Sequence, residues 1–134
     1  MGKFTLLEVK TQKDIKQWLD FPAKLYKDDP HYVRPMDEEV EKVFDRTQNK
    51  LFRHGDATRF LLKDENGKIV GRIAAFYDEK TSNTYKKDEN GQPTGGCGFF
   101  DCIDNQEAAN ILFDAAKKWN IEHGQEAMDG PINF

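Results

Sequence analysis

The stretch with the greatest density of reactive side chains is "GGCGFFDCID", residues 95–104, which holds three glycines, two cysteines and two aspartates. Such residues could support metal binding, cysteine catalysis or phosphate binding. A fourth interpretation is a buried strand, because the aromatic residues in "CGFFDCI" favour extended structure. Which of these holds depends on the spacing of the side chains and on the elements that position them.

Cys97 and Cys102 are five positions apart, and an odd separation in a strand places two side chains on opposite faces. They could then neither share a metal ion nor form a disulfide with each other. Zinc needs four ligands, whereas His31, His54 and His123 are scattered along the chain. We therefore predict no metal site and two buried structural thiols. Pairing of a cysteine with His54 for nucleophilic catalysis has no local support in the sequence.

The glycines of this stretch precede the predicted strand, whereas phosphate-binding glycines follow a strand and open a helix. The segment "DCIDNQEAA" does start a helix, but Asp101, Asp104 and Glu107 surround that start with negative charge. The spacing of Asp104 and Glu107 is that of a capping box. We interpret this end of the strand as a capped helix.

The N-terminal part of the chain predicts one strand and two helices. "KFTLLEVK" alternates as a strand does, and Thr11 and Asp14 have capping-box spacing ahead of a helix from about Gln12 to Asp20. Pro22 should bend or end that helix, with about one more apolar turn after it. "EEVEKVF" predicts a short second helix.

The rest of the chain predicts a mixed sheet. Asn66 and Gly67 split "ATRFLLKDENGKIVGRIAAFYDE" into two antiparallel strands joined by a type I′ turn. The connection 78–94 has little to bury and predicts either a mobile hairpin tip or a functional flap. "CGFFDCI" is then the fourth strand, followed by a helix that stops at Gly124 and a fifth, parallel strand in "QEAMDGPINF". The predicted order is β-α-α-β-β-β-α-β, an α/β fold.

Length and charge limit the function classes. The 134 residues suit a single domain, 1–134, and a net charge of −4 with a pI near 5.4 gives no positive field for a nucleic acid. The sequence has no apolar run long enough to span a membrane, and "MGKFTLLEVK" is too charged for a signal peptide. We therefore expect a cytoplasmic protein that binds neither nucleic acid nor membrane.

Several longer segments together resemble one protein family. They are "HYVRPMDEEVEKVFD", "NKLFRHGDATRFLLKDENGKIVGRIAAFYDE", "GGCGFFDCIDNQEAANILFDAAKKWNIEHG" and "MDGPINF". The chain looks like the N-terminal part of longer bacterial proteins described as GNAT-like acyltransferases, within the GNAT-type N-acetyltransferase superfamily. The superfamily has the element order predicted above, followed by a further helix and two strands.

The resemblance implies that acetyl-CoA or another acyl-CoA is the cofactor. In the superfamily the fourth strand splays from the fifth, the pantetheine arm pairs with the fourth strand's backbone, and the next helix N-terminus binds the pyrophosphate. Carried over to this chain, the pantetheine role falls to the backbone of Asp101, Cys102 and Ile103, and the pyrophosphate role to the amides of Asn105, Gln106, Glu107 and Ala108.

The further helix and two strands of the superfamily do not follow Phe134, so we expect a domain that is incomplete at its C-terminus and not catalytically competent alone. Its last strand would pair with a longer parent, a second copy or a partner chain, because an unpaired apolar edge invites strand addition.

Two classes of function follow. In an N-acyltransferase, Asp101 or His54 would be the general base that deprotonates an acceptor amine, since each lies near an end of a central strand. In a non-catalytic interaction or dimerisation module, the acidic surface, the Tyr32–Arg34 loop and the segment 78–94 would instead contact a protein partner.

Overall fold

A computed structural model describes residues 3–49, 52, 55–78, 94–125 and 127–129. Within these ranges the elements follow the predicted order, which confirms the α/β fold class. Most of the predicted flap, residues 79–93, lies outside the described residues. The elements are β1 (Phe4–Glu8), α1 (Gln12–Leu25), α2 (Asp37–Val43), β2 (Gly55–Asp64), β3 (Ile69–Asp78), β4 (Thr94–Cys102), α3 (Gln106–Glu122) and β5 (Ala127–Asp129).

The described strands form one mixed sheet in the order β1-β2-β3-β4-β5. The first three pairings are antiparallel and β4 pairs with β5 in parallel, as predicted. Helices cover both faces. Leu61 and Ala74 pack against Trp18 of α1, whereas Leu62 and Ile73 face the cluster that contains Leu112 of α3. No helix in the described part of the chain is long and apolar enough to cross a membrane.

Helix α1 begins at the predicted capping box. The Asp14 amide donates to Thr11 Oγ1 over 3.1 Å and the Thr11 amide donates to Asp14 Oδ2 over 3.3 Å. The helix does not end near Asp20 but continues through the buried Pro22 to Leu25. Because proline has no amide hydrogen, the carbonyl one turn earlier, that of Trp18, is left without its helical donor.

The β2–β3 hairpin forms at Asn66-Gly67, but its turn is not of type I′. Only Gly67 has a positive φ there, 79°, and the Gly67 amide donates to the Asp64 carbonyl over 3.0 Å. Asp64 Oδ1 also accepts from the Asn66 and Lys68 amides. These bonds define a three-residue loop with glycine in the left-handed position. The loop is one residue longer than predicted because the Asp64 side chain stabilises a type I turn.

Helix α3 is capped by Asn105 and not by Asp104, since Asn105 Oδ1 accepts from the Ala108 amide over 3.0 Å. At the other end Gly124 stops the helix as predicted, with a φ of 84°. The Gly124 amide donates to the Ile121 carbonyl and the Gln125 amide to the Asn120 carbonyl. This pair of bonds is a Schellman motif.

Gly95 and Gly96 of "GGCG" serve close packing of β4. A side chain on Gly95 would overlap the amide of the buried Asn120, and one on Gly96 would overlap the ring of Phe76. Asn120 Nδ2 donates to the Gly96 carbonyl over 3.2 Å. The glycines therefore let α3 and a neighbouring aromatic ring approach the backbone of β4.

Candidate functional site

The candidate site is centred on the C-terminal half of β4, where the strand contains a β-bulge. Arg72 of β3 pairs with Asp101, but Ala74 pairs with Gly98, so β4 holds one extra residue between these two pairs. Phe99 adopts a φ of 51° there. A positive φ is an unfavourable conformation for a bulky side chain, and such strain is concentrated at functional sites.

The bulge also reverses the predicted orientation of the cysteines. Cys97 pairs with Ala75 and Cys102 with Gly71, and these two partners are four residues apart on β3. The two cysteines therefore lie on the same face of the sheet, both against α3, and the prediction of opposite faces is wrong. Both are free thiols. Burial raises the pKa of Cys97 to about 11 and also raises the pKa of Cys102, as expected for structural thiols.

Asp101, predicted as a general base, lies directly after the bulge in a hydrogen-bonded network. Arg72 Nε donates to Asp101 Oδ2 over 3.0 Å, and the Tyr26 hydroxyl donates to Asp101 Oδ1 over 2.8 Å. The Arg72 and Asp101 side chains are only 9% and 16% exposed. Both carboxylate oxygens are thus engaged by donors, and the carboxylate is fixed in orientation.

Arg72 is held by groups of α1 in turn. Its Nη1 donates over 3.0 Å to the Trp18 carbonyl, the one that Pro22 leaves without a helical donor, and its guanidinium lies 4.2 Å from the Trp18 ring centroid. The proline in α1 therefore creates the acceptor that orients Arg72, and Arg72 orients Asp101.

The protonation of this network follows from its burial. The pKa of Tyr26 is raised to about 12, first by burial of the hydroxyl and second by its hydrogen bond to Asp101. Burial also raises the pKa of Tyr32, whose ring centroid is 5.1 Å from that of Tyr26. Burial lowers the pKa of Arg72, and the neighbouring Asp101 opposes that shift. At neutral pH Tyr26 is therefore a neutral hydrogen-bond donor next to an ion pair.

Sequence reasoning did not identify Arg72 and Tyr26 as members of the site. Arg72 carries a signal nevertheless, because a charged residue inside the apolar run "IVGRIAAF" must find a partner when the strand is buried. His54, the other predicted base, lies outside the described residues. Asp101 stays a prediction as the general base.

The residues assigned to acyl-CoA by resemblance fall into two groups. The Ile103, Asn105 and Ala108 amides already donate to the Val70 carbonyl, the Ile103 carbonyl and Asn105 Oδ1. The amides of Gln106 and Glu107 have no acceptor within the described part of the chain. These two amides open α3 and point along its dipole, as an anion site at a helix N-terminus requires.

In the described part of the sheet, β5 covers β4 at the end of the strand that is far from these amides. The described residues of β5 pair only with Thr94, Gly95 and Gly96. Asp101 and Cys102 lie at the far end of β4, where their β3 partners are Arg72 and Gly71. Within the described ranges, no three His, Cys, Asp or Glu side chains are grouped so that they could hold a metal ion.

This arrangement of a bulged fourth strand, a parallel fifth strand and a helix between them is the GNAT acetyltransferase fold, which confirms the fold that the resemblance implies. AAC(6')-Iy in complex with a bisubstrate analog, CoA-S-monomethyl-acetylneamine, matches 97% of this chain and 80% of its own, with a TM-score of 0.62 and 13% identity. The GCN5-related glucosamine N-acetyltransferase region of a fungal GH3 β-N-acetylglucosaminidase gives a TM-score of 0.65 and 14% identity over 100% of this chain and 14% of its own.

Two curated relatives are similar in sequence. "Bacterial ceramide synthase" of Caulobacter vibrioides is 30% identical over 130 residues, which are 97% of this chain and 33% of the relative. "Protein YghO" of Escherichia coli is 28% identical over 127 residues, 92% of this chain and 30% of the relative. The chain thus spans about a third of the length of the curated relatives it matches. No family model matches it.

Proposed function

We propose that this chain binds the acyl-CoA donor of an N-acyltransferase whose acceptor is the amine of a long-chain lipid base. The observation that carries the donor site is the edge of β4 that no described residue covers. The described part of β5 pairs with only the first three residues of β4, and the strand then leads to the unpaired amides of Gln106 and Glu107. An extended arm with amide groups can add to such an edge as a strand does, and its phosphates can then meet the start of α3.

The acidic residues near this helix start oppose anion binding. Asp104 and Glu107 are both exposed, so water and salt screen their charges. The backbone amides and the dipole of a helix of 17 residues act on the ligand directly. We therefore expect a donor site of moderate affinity, and we expect that affinity to increase when Glu107 is neutralised.

The acceptor class is supported by the relative named for ceramide synthesis. Ceramide is a long-chain amino alcohol that carries an acyl group on its nitrogen, so its formation from a thioester is an N-acylation. In that step a C–N bond forms, the C–S bond of the thioester breaks, the amine loses a proton to a base, and the departing thiolate takes up a proton. The similarity extends over 97% of this chain, which supports the same reaction class here.

Asp101 is the residue that we propose as the base for this step. Its Oδ1 accepts from the Tyr26 hydroxyl, which an incoming amine would replace as the donor. Arg72 would keep the carboxylate in place during that exchange, because it is fixed by the Trp18 carbonyl and ring. A base must lie within hydrogen-bond reach of the proton it removes, and the position now held by the Tyr26 hydroxyl meets that condition.

We further propose that residues 1–134 bind the donor but do not complete the transfer alone, a view that the greater length of the curated relatives supports. In the described sheet β5 has β4 as its neighbour on one side. Its other side would accept a strand from a longer parent, a second copy or a partner chain. Sedimentation would test whether the strand comes from a second copy of the chain. A monomer at every concentration would contradict that possibility.

The donor site can be tested with one pair of variants at Gln106. This residue is the first of α3 after the Asn105 cap, a position where proline is well tolerated, and Asn105 has a φ of −150° and a ψ of 117° that suit a following proline. Gln106→Pro removes one of the two unpaired amides, whereas Gln106→Ala keeps it. Calorimetric titration with acetyl-CoA and longer acyl-CoAs should show a loss of about tenfold to a hundredfold in the proline variant only, the value of one charge-assisted hydrogen bond.

The second candidate function is a protein-interaction module. Val33 and Met36, in the connection between α1 and α2, are 83% and 65% exposed, which favours a contact surface there. Absence of acyl-CoA binding by the unaltered chain would reject the donor site and leave this second function.

A further inference from the structure

A cavity of about 480 Å³ lies between α1, the β2–β3 turn and the end of β4, on the α1 side of the sheet. Its volume is within the range of pockets that bind small molecules, roughly 300 to 1,000 Å³. Phe21, Leu25, Ile69 and Ile103 provide its apolar lining. Phe21 is buried and the other three are half-buried, so the lining is fixed by the fold.

The α1 side of this cavity is a single helical stripe. Gln17, Phe21 and Lys24 follow one another at spacings of four and three residues, which places their side chains on one face of the helix. Trp18, on the neighbouring stripe, packs into the sheet beneath α1. The helix thus buries one stripe against the sheet and presents the other to the cavity.

The charged residues described at the cavity are both positive. Lys24 and Lys68 line it and are exposed, and neither forms an ion pair within the described residues. None of the lining residues that the structure describes is acidic. In a chain with a net charge of −4, this is a local preference for an anionic group at the cavity mouth.

Gln17 adds a polar group that lacks a partner. Its Oε1 atom is buried and accepts no hydrogen bond from any described residue. A buried carbonyl oxygen without a donor is costly, so a donor from a ligand would be favourable here. An apolar lining, two lysines at the mouth and one buried acceptor together define an amphipathic ligand.

From these features we infer that the cavity binds a fatty acid. The aliphatic chain lies on the apolar lining, the carboxylate lies beside Lys24 and Lys68, and a hydroxyl on the chain donates to Gln17 Oε1. The site takes a β-hydroxy fatty acid in preference to the plain acid. Binding of the fatty acid does not depend on acyl transfer, because only the residues that line the cavity contact the ligand.

Calorimetric titration of the full chain with three ligands tests the inference: β-hydroxydodecanoic acid, dodecanoic acid and dodecylamine, each below its micelle-forming concentration. Both acids should bind, the hydroxy acid about two- to tenfold more tightly because of one additional hydrogen bond, and the amine should not bind. Gln17→Leu should remove the preference for the hydroxy acid while dodecanoic acid still binds.

Substitution of the lysines tests the carboxylate position. Lys24→Gln and Lys68→Gln should each weaken binding of both acids about two- to fivefold, as expected for exposed charge pairs. Lys117→Gln, an exposed lysine on α3, is the matched control and should change nothing. The inference would be overturned if the acids and the amine bound equally, or if neither acid bound. It would also be overturned if substitution of the two lysines left the affinity for the acids unchanged.

The same ligands separate this site from the proposed donor site. Gln106→Pro should reduce binding of acyl-CoA and leave binding of the fatty acid unchanged. Loss of fatty acid binding in that variant would place the acid at the start of α3 and overturn the assignment to the cavity.

Discussion

Replacing Asp101 by asparagine keeps the shape of the side chain but removes the negative charge opposite Arg72. The Arg72 side chain is 9% exposed, so its positive charge would be left buried without a counter-ion. Breaking a buried ion pair by removing one partner costs about 3 to 5 kcal/mol. The retained amide oxygen can still accept from Tyr26 or Arg72, so we expect the lower end, a loss of about 3 kcal/mol in the free energy of unfolding.

Three further variants show whether the charge is the cause. Tyr26→Phe removes the hydroxyl but leaves the ion pair, and it should cost about 1 kcal/mol. Arg72→Met alone leaves the Asp101 charge buried, whereas Arg72→Met combined with Asp101→Asn removes both charges. The double variant should therefore be more stable than the sum of the single losses predicts, by about 0.5 to 3 kcal/mol.

Urea unfolding of the four variants measures these losses in the free energy of unfolding. The comparison requires that the slope of the free energy against urea concentration is the same in all of them. A loss below about 1 kcal/mol for Asp101→Asn would refute the account of the network as a buried ion pair. Additive losses in the Arg72 and Asp101 variants, within about 0.5 kcal/mol, would refute it as well.

Titration of the tyrosines, followed by phenolate absorbance, should show one group with a midpoint of about 12, above the ordinary value of 10.0, and Tyr26→Phe should remove it. Because the folded pKa is raised, the stabilising contribution of this group is complete below pH 10 and is lost as the pH rises through about 12; an unshifted midpoint would contradict this. Alkylation of the native chain should be slow at Cys97, where burial raises the pKa to about 11, and faster at the less buried Cys102. Rapid alkylation of Cys97 without unfolding would show that it is not a core thiol.

Local signals in the sequence were sufficient for the order and ends of many elements. The capping box at Thr11, the glycine stop at Gly124 and the hairpin at Asn66-Gly67 depend on neighbouring residues only, and all three are present. The predicted turn type at the hairpin was wrong because the turn type depends on the backbone amides from which the Asp64 side chain accepts hydrogen bonds. The cap of α3 was shifted by one residue for a similar reason, since Asp104 and Asn105 are both good capping residues.

The candidate site was harder to predict because it depends on the register between strands. One extra residue at Phe99 changes which side chains share a face, and a phenylalanine at positive φ gives no sign in the sequence. The contact of Tyr26 with Asp101 further depends on α1 continuing through Pro22. Arg72 in an apolar strand was the available clue to a buried partner.

Binding of acyl-CoA at the edge of β4 is the central claim, and amide chemical shifts report on it most directly. Titration of the isotopically labelled chain with an acyl-CoA should shift the amides of Gln106 and Glu107 most, with those of Asp101 and Cys102 next and those of β1 unchanged. Shifts that are absent from the start of α3, or that centre on the exposed loop around Val33, would contradict the claim.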